Sequence, residues 1–101
     1  MKIPYCIKRI YWFFQRAYFG FSDYDTWNFD YYLATIIIGG LKHLKQYSHS
    51  AKPSQEEFDI MIEGFEANLL MIDDPSLYDE LKPIFDRGME LFHKYFNYLW
   101  D

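Results

Sequence analysis

The stretch from Trp27 to Leu41 is apolar nearly all the way round a helical wheel, and such a helix needs neighbours on most of its sides. The rest of the chain offers helices as those neighbours. From about Ile3 to Phe19, Ile7, Ile10, Tyr11, Phe14 and Tyr18 recur at helical spacing and predict a buried stripe, with Gly20 placed as the C-terminal cap. Ser22-Asp23-Tyr24-Asp25 has the form of a capping box, so the central helix is expected from about Asp23 to Tyr47, ending near Ser48-His49-Ser50. Gly39-Gly40 within it predicts close backbone packing or a kink.

A second capping box, Ser54-Gln55-Glu56-Glu57, opens a third helix to about Ile72, with Phe58, Ile62, Phe65, Leu69 and Ile72 facing inward. Asp74-Pro75 supplies the next start, an N-cap with proline in the first helical position. Pro83 is expected to break or kink the helix begun there. The last helix then runs from about Pro83 to Trp100 and buries Phe85, Met89, Phe92, Phe96 and Leu99. The expected fold is all-α: one domain, 1–101, a compact bundle of about four helices around the apolar second one.

Composition agrees. Half of the residues are hydrophobic and 23% are aromatic, which excludes a disordered chain and can fill a core. The lone Cys6 cannot form an internal disulfide and reads as a small buried hydrophobe in a reducing compartment. No secretory signal opens the chain, and no run of about 18 apolar residues predicts a membrane span. The net charge of −5 is segregated: residues 1–22 hold four bases and no acid, whereas 53–101 hold twelve acids and three bases. An acidic whole argues against direct nucleic-acid binding, which needs a basic footprint.

The sequence has no P-loop, dinucleotide fingerprint, zinc pattern or nucleophile elbow, and nothing calls for a cofactor or metal. Glu90 and His93 form one Glu-x-x-His pair, but di-iron bundles need two pairs with further inward glutamates, so a solvated helix flank is the better reading. Asp30 lies in line with Ala34, Ile37 and Leu41, which predicts a buried carboxylate bonded to a Tyr hydroxyl, a Trp indole or Arg16. Lys8, Arg9, Trp12, Phe13 and Arg16 share the other side of the first helix. That face suits an acidic partner, a phosphate-rich ligand or an anionic membrane surface, or it packs on Glu63, Glu66 and Asp86. Asp59, Glu63, Glu66, Asp79, Glu80, Asp86 and Glu90 read as a solvated face, with nucleic-acid mimicry as the sharper reading.

Three stretches carry a family resemblance: Phe14-Gln15-Arg16 leading to Gly20-Phe21-Ser22-Asp23-Tyr24-Asp25-Thr26-Trp27-Asn28-Phe29-Asp30-Tyr31-Tyr32-Leu33-Ala34, then Leu41-Lys42-His43-Leu44, and the ending Gly88-Met89-Glu90-Leu91-Phe92 through Leu99-Trp100-Asp101. Together they resemble a group of small proteins encoded by tailed bacteriophages and prophages. The match spans most of the chain and is loose from Ser48 to Pro83. The resemblance implies an origin and the bacterial host cytoplasm as compartment, and no catalytic residue.

The function expected is therefore stoichiometric binding by a small phage accessory protein that inhibits a host or host-defence protein. Candidate binding residues are Lys8, Arg9, Trp12, Phe13 and Arg16, with Asp23, Asp25, Trp27 and Asp30 from the run after the first helix. Two alternatives stand beside it. One is a metal- or nucleotide-dependent enzyme built around Asp23, Asp25, Asp30 and His93; the other is a structural homo-oligomer whose exposed aromatics are subunit contacts.

Overall fold

The computed structural model describes residues 4–47 and 52–100. Among them there is no strand, and the fold is all-α. Five α-helices occur in order: α1 Tyr5–Phe19, α2 Asp23–Trp27, α3 Phe29–Tyr47, α4 Gln55–Asp73 and α5 Tyr78–Tyr95. Short 3-10 turns flank α5, at Pro75–Leu77 and Phe96–Tyr98. The chain divides into two compact units, Met1–Tyr32 and Leu33–Asp101. The expected helix start at Ile3 and the expected end at Ser48-His49-Ser50 lie outside the described residues.

Local chemistry sets these boundaries. Gly20 takes a left-handed conformation (φ 85°) and its amide donates to the Arg16 carbonyl, closing α1. Ser22 and Ser54 each accept the backbone N–H three residues on, and Asp25 and Glu57 return the bond to the cap amides. Asp74 caps the turn that Pro75 begins. Two expectations about continuity are corrected. The helix expected over Asp23–Tyr47 is interrupted at Asn28, whose backbone (φ −133°, ψ 60°) leaves the helical region. Pro83 breaks nothing: α5 runs through it, and Pro83 and Asp79 are both exposed, on the side of the helix where a carbonyl without its donor costs least.

In the second unit the core gathers Ala34, Ile38 and Leu41 of α3 with Phe58, Met61, Ile62 and Phe65 of α4 and Leu91 and Tyr95 of α5. Helices α4 and α5 cross with their backbones almost touching. A Cβ built on Gly64 would lie 2.7 Å from the Gly88 Cα, and one on Gly88 would lie 2.7 Å from the Gly64 Cα. Only glycine permits that approach, and it lets the rings of Phe65 and Phe92 meet edge-to-face at 5.1 Å. The close approach expected at Gly39-Gly40 is not there: nothing lies within 4 Å of a Cβ at either position.

The crossing also shifts the face that α5 buries. Gly88, Leu91 and Tyr95 are inside, while Met89 and Phe96, expected inside, are exposed, and Ile72 of α4 is likewise exposed. Tyr95 tolerates burial because its hydroxyl bonds Glu57, which together with the Ser54 cap holds the Glu57 carboxyl below its usual range. Nor is α3 buried all round: Leu33 and Ile36 are exposed, and only the Ala34–Ile38–Leu41 face joins the core. The acidic side chains of this unit are largely solvated, and several have cation partners: Asp59 with Lys45, Glu66 with Lys42, Asp86 with Lys82 and Glu90 with Arg87.

Candidate functional site

The first unit is organised by one carboxylate. Asp25 is 5% exposed, which would cost several kcal/mol for an unpaired charge. It is not unpaired. Its Oδ2 accepts from Arg16 Nε at 2.9 Å, from the Ser22 amide at 2.8 Å and from Ser22 Oγ at 2.9 Å, while Arg16 Nη2 bonds Oδ1. Ser22 Oγ in turn accepts the Asp25 amide at 3.3 Å. The guanidinium beside it, together with the Ser22 donors, holds the Asp25 carboxyl below the usual carboxylate range. The same bond raises Arg16. Gln15 adds a tie by accepting the Asp23 amide at 2.9 Å, and the Tyr32 hydroxyl donates to the Gly20 carbonyl. The turn between α1 and α2 is thereby fixed from both sides.

This is the buried, arginine-bonded carboxylate that the sequence led us to expect at Asp30. Asp30 itself is exposed and accepts the Tyr31 amide at 2.9 Å. The break at Asn28 explains the correction. It makes Asp30 a first-turn residue of α3, where unpaired amides favour a carboxylate, so the apolar line through Ala34 and Leu41 ends before reaching it.

The stripe of α1 expected inside is not the side that engages this unit. The other side, expected either to meet a partner or to pack within the molecule, makes the contacts: Trp12 is half-buried and Arg16 is paired, while Tyr5 beside them stays 63% exposed. Trp12 stacks at a tilt on Tyr24 at 4.9 Å, with Trp27 and Tyr5 edge-on at 6.0 Å. Arg9 lies over the Tyr5 ring and Arg16 over the Tyr32 ring. An open pocket of about 350 Å³ is lined by Tyr5, Arg9, Trp12, Phe13, Arg16 and Tyr24. The stripe expected to be buried is bare: Ile7, Ile10, Tyr11, Phe14 and Tyr18 are 52–83% exposed, and α1 has no buried residue. Phe13 (68%) and Cys6 extend that surface, so Cys6 is not the buried hydrophobe it was expected to be.

Of the candidate residues, Arg9, Trp12, Phe13, Arg16, Asp25 and Trp27 are thus tied to one cluster by ring, ion-pair or pocket contacts. Lys8 is exposed on α1 and Asp23 is exposed in the first turn of α2. Asp30 is not part of the cluster. What the residue patterns missed is the pairing of Arg16 with Asp25. The capping box already placed Asp25 next to Ser22, and Arg16 is the basic residue of the last turn of α1, so the signal was present.

The arrangement has no nucleophile-and-base pair, and Asp25 is committed to Arg16. Among the described residues no three of His, Cys, Asp or Glu gather as a metal would require, and no helix is long and apolar enough to cross a membrane. Comparison of the chain with family models, with curated proteins and with solved structures returns no match.

Proposed function

We propose that this chain acts by stoichiometric binding, with the apolar face of α1 as its docking element and a protein as its target. The observation that carries this reading is the absence of any buried residue in a 15-residue helix whose one side holds Ile7, Ile10, Phe14 and Tyr18. Those positions are spaced i, i+3, i+7 and i+11, the pattern by which an amphipathic helix anchors in a groove. Surface of that size and apolarity on one element marks an interaction site. Helix α1 contains Lys8, Arg9 and Arg16 and no acid, so a groove with carboxylates at its rim fits it best.

The resemblance to phage proteins supplies the setting: a product made in the bacterial cytoplasm whose target is a host or host-defence protein, inhibited by occupancy. The catalytic alternative gains nothing from the geometry, because Asp25 is locked and Asp30 lies apart from it. Affinity capture from host lysate tests the proposal. The intact protein should retain a specific target in roughly equimolar amount, and Ile10→Asp or Phe14→Asp should lose it. Equal capture by wild type and both variants would refute α1 as the docking element.

A further inference from the structure

Away from its bare apolar side, α1 carries a second pattern with a different chemistry. Tyr5, Arg9, Trp12 and Arg16 succeed one another at spacings of four, three and four, which stacks ring, guanidinium, ring and guanidinium along one helical line. Tyr24 of α2 closes the line from the opposite side, its ring 4.9 Å from Trp12. The result is the open pocket of about 350 Å³, walled by rings and two cations. This volume falls in the range of small-molecule sites.

The two cations are not equivalent. Arg16 gives Nε and Nη2 to Asp25, so its charge is balanced and its position fixed. Arg9 has a ring contact with Tyr5 at 5.9 Å and, among the described residues, no carboxylate. A pocket of π faces with one uncompensated guanidinium selects a ligand that is planar at one end and anionic at the other. Rings and Arg planes accept a flat heterocycle by stacking, and the guanidinium fork matches phosphate geometry.

We infer that this pocket binds a nucleoside phosphate, with the base laid against the exposed ring surface of Tyr5 and Tyr24 beside Trp12 and the phosphate on Arg9. Charge decides between a single nucleotide and a polynucleotide. The pocket offers one uncompensated cation, enough for a ligand of few charges but short of the basic footprint that a polynucleotide needs, and the chain as a whole carries −5. Arg9, Arg16 and Phe13 border both the pocket and the docking face, but the inference does not use Ile7, Ile10, Phe14 or Tyr18, so target capture by Ile10→Asp and Phe14→Asp remains a separate test of the proposed protein binding.

The test is a titration of the full chain with adenosine 5′-monophosphate and guanosine 5′-monophosphate, monitored by tryptophan fluorescence and checked by calorimetry. Saturable quenching with one site per chain is expected, weakening as salt rises. Adenosine alone and inorganic phosphate alone should each bind at least about tenfold more weakly, since each loses either the charged contact or the stacked one. Arg9→Gln, at an exposed position with an unchanged helical spectrum, should cost a similar factor, and Tyr24→Leu should do the same from the α2 side. Absence of saturable quenching at millimolar nucleotide would overturn the inference. So would a nucleotide affinity unchanged in Arg9→Gln. Tighter binding of a thymidine oligonucleotide or of a phosphotyrosine peptide would overturn the assignment to a single nucleotide.

Discussion

Glycine-to-alanine replacement should change sign between α3 and the crossing of α4 with α5. At Gly64 the new methyl would sit 2.7 Å from the Gly88 Cα, 3.2 Å from the Gly88 nitrogen and 3.2 Å from the Ile84 carbonyl oxygen. All three are backbone atoms, so no rotamer change relieves the clash and the helices must separate. Met61, Phe65 and Leu91, each no more than 3% exposed, lose contact as they do so. Overpacking of this kind costs about 1–3 kcal/mol or more, which outweighs the roughly 1 kcal/mol that alanine gains over glycine in a helix. Gly88→Ala meets the same obstacle from the other side, with the Ile60 carbonyl oxygen at 3.1 Å. At Gly39 and Gly40 nothing lies within 4 Å, and alanine should stabilise by about 0.5–1 kcal/mol at each. Urea denaturation monitored by helical circular dichroism reads both effects as midpoint shifts at constant slope. A Gly64→Ala protein as stable as wild type would refute the crossing. A Gly39→Ala protein destabilised like Gly64→Ala would refute the open face of α3.

Two further predictions concern the lock and the caps. Asp25→Ala should destabilise the first unit by about 1–3 kcal/mol, because it leaves the buried Ser22 donors without their acceptor while the half-exposed Arg16 guanidinium returns to water, and Trp12 emission should shift with it. Since the folded Asp25 carboxyl titrates below its unfolded value, its contribution is present at neutral pH and is lost as pH falls through the folded value. Acid titration should therefore narrow the difference between wild type and Asp25→Ala, and a constant difference down to strong acid would contradict the lock. Ser54→Ala should cost about 1 kcal/mol through loss of the α4 cap, measurable by the same denaturation curves.

Helix starts and stops were legible because they depend on single residues and short spacings: Gly20, Ser22, Ser54 and Asp74 each do in the structure what their type dictates. The interruption at Asn28 was not, since no breaker marks it. That one missed boundary moved Asp30 into an apolar line to which it does not belong. Periodicity placed Phe58, Ile62 and Phe65 in the core but not Leu91 and Tyr95, because the contact of Gly64 with Gly88 sets which side of α5 faces α4. Such a contact needs two glycines far apart in sequence to meet, and neither looks special alone. In α1 both faces are rich in rings, so hydrophobicity could not say which turns inward. The Arg16–Asp25 pair decides it, and that is a fact of tertiary structure.

The central claim is that the Ile7–Ile10–Phe14–Tyr18 side of α1 is a free surface rather than core. The urea midpoint of the Ile10→Asp/Phe14→Asp double variant tests it most directly. On an exposed face, two such changes should shift stability by no more than about 0.5 kcal/mol each, with the helical signal retained. A loss of several kcal/mol, as expected when charge replaces buried apolar side chains, would show that this face is packed in the folded protein and would contradict the account.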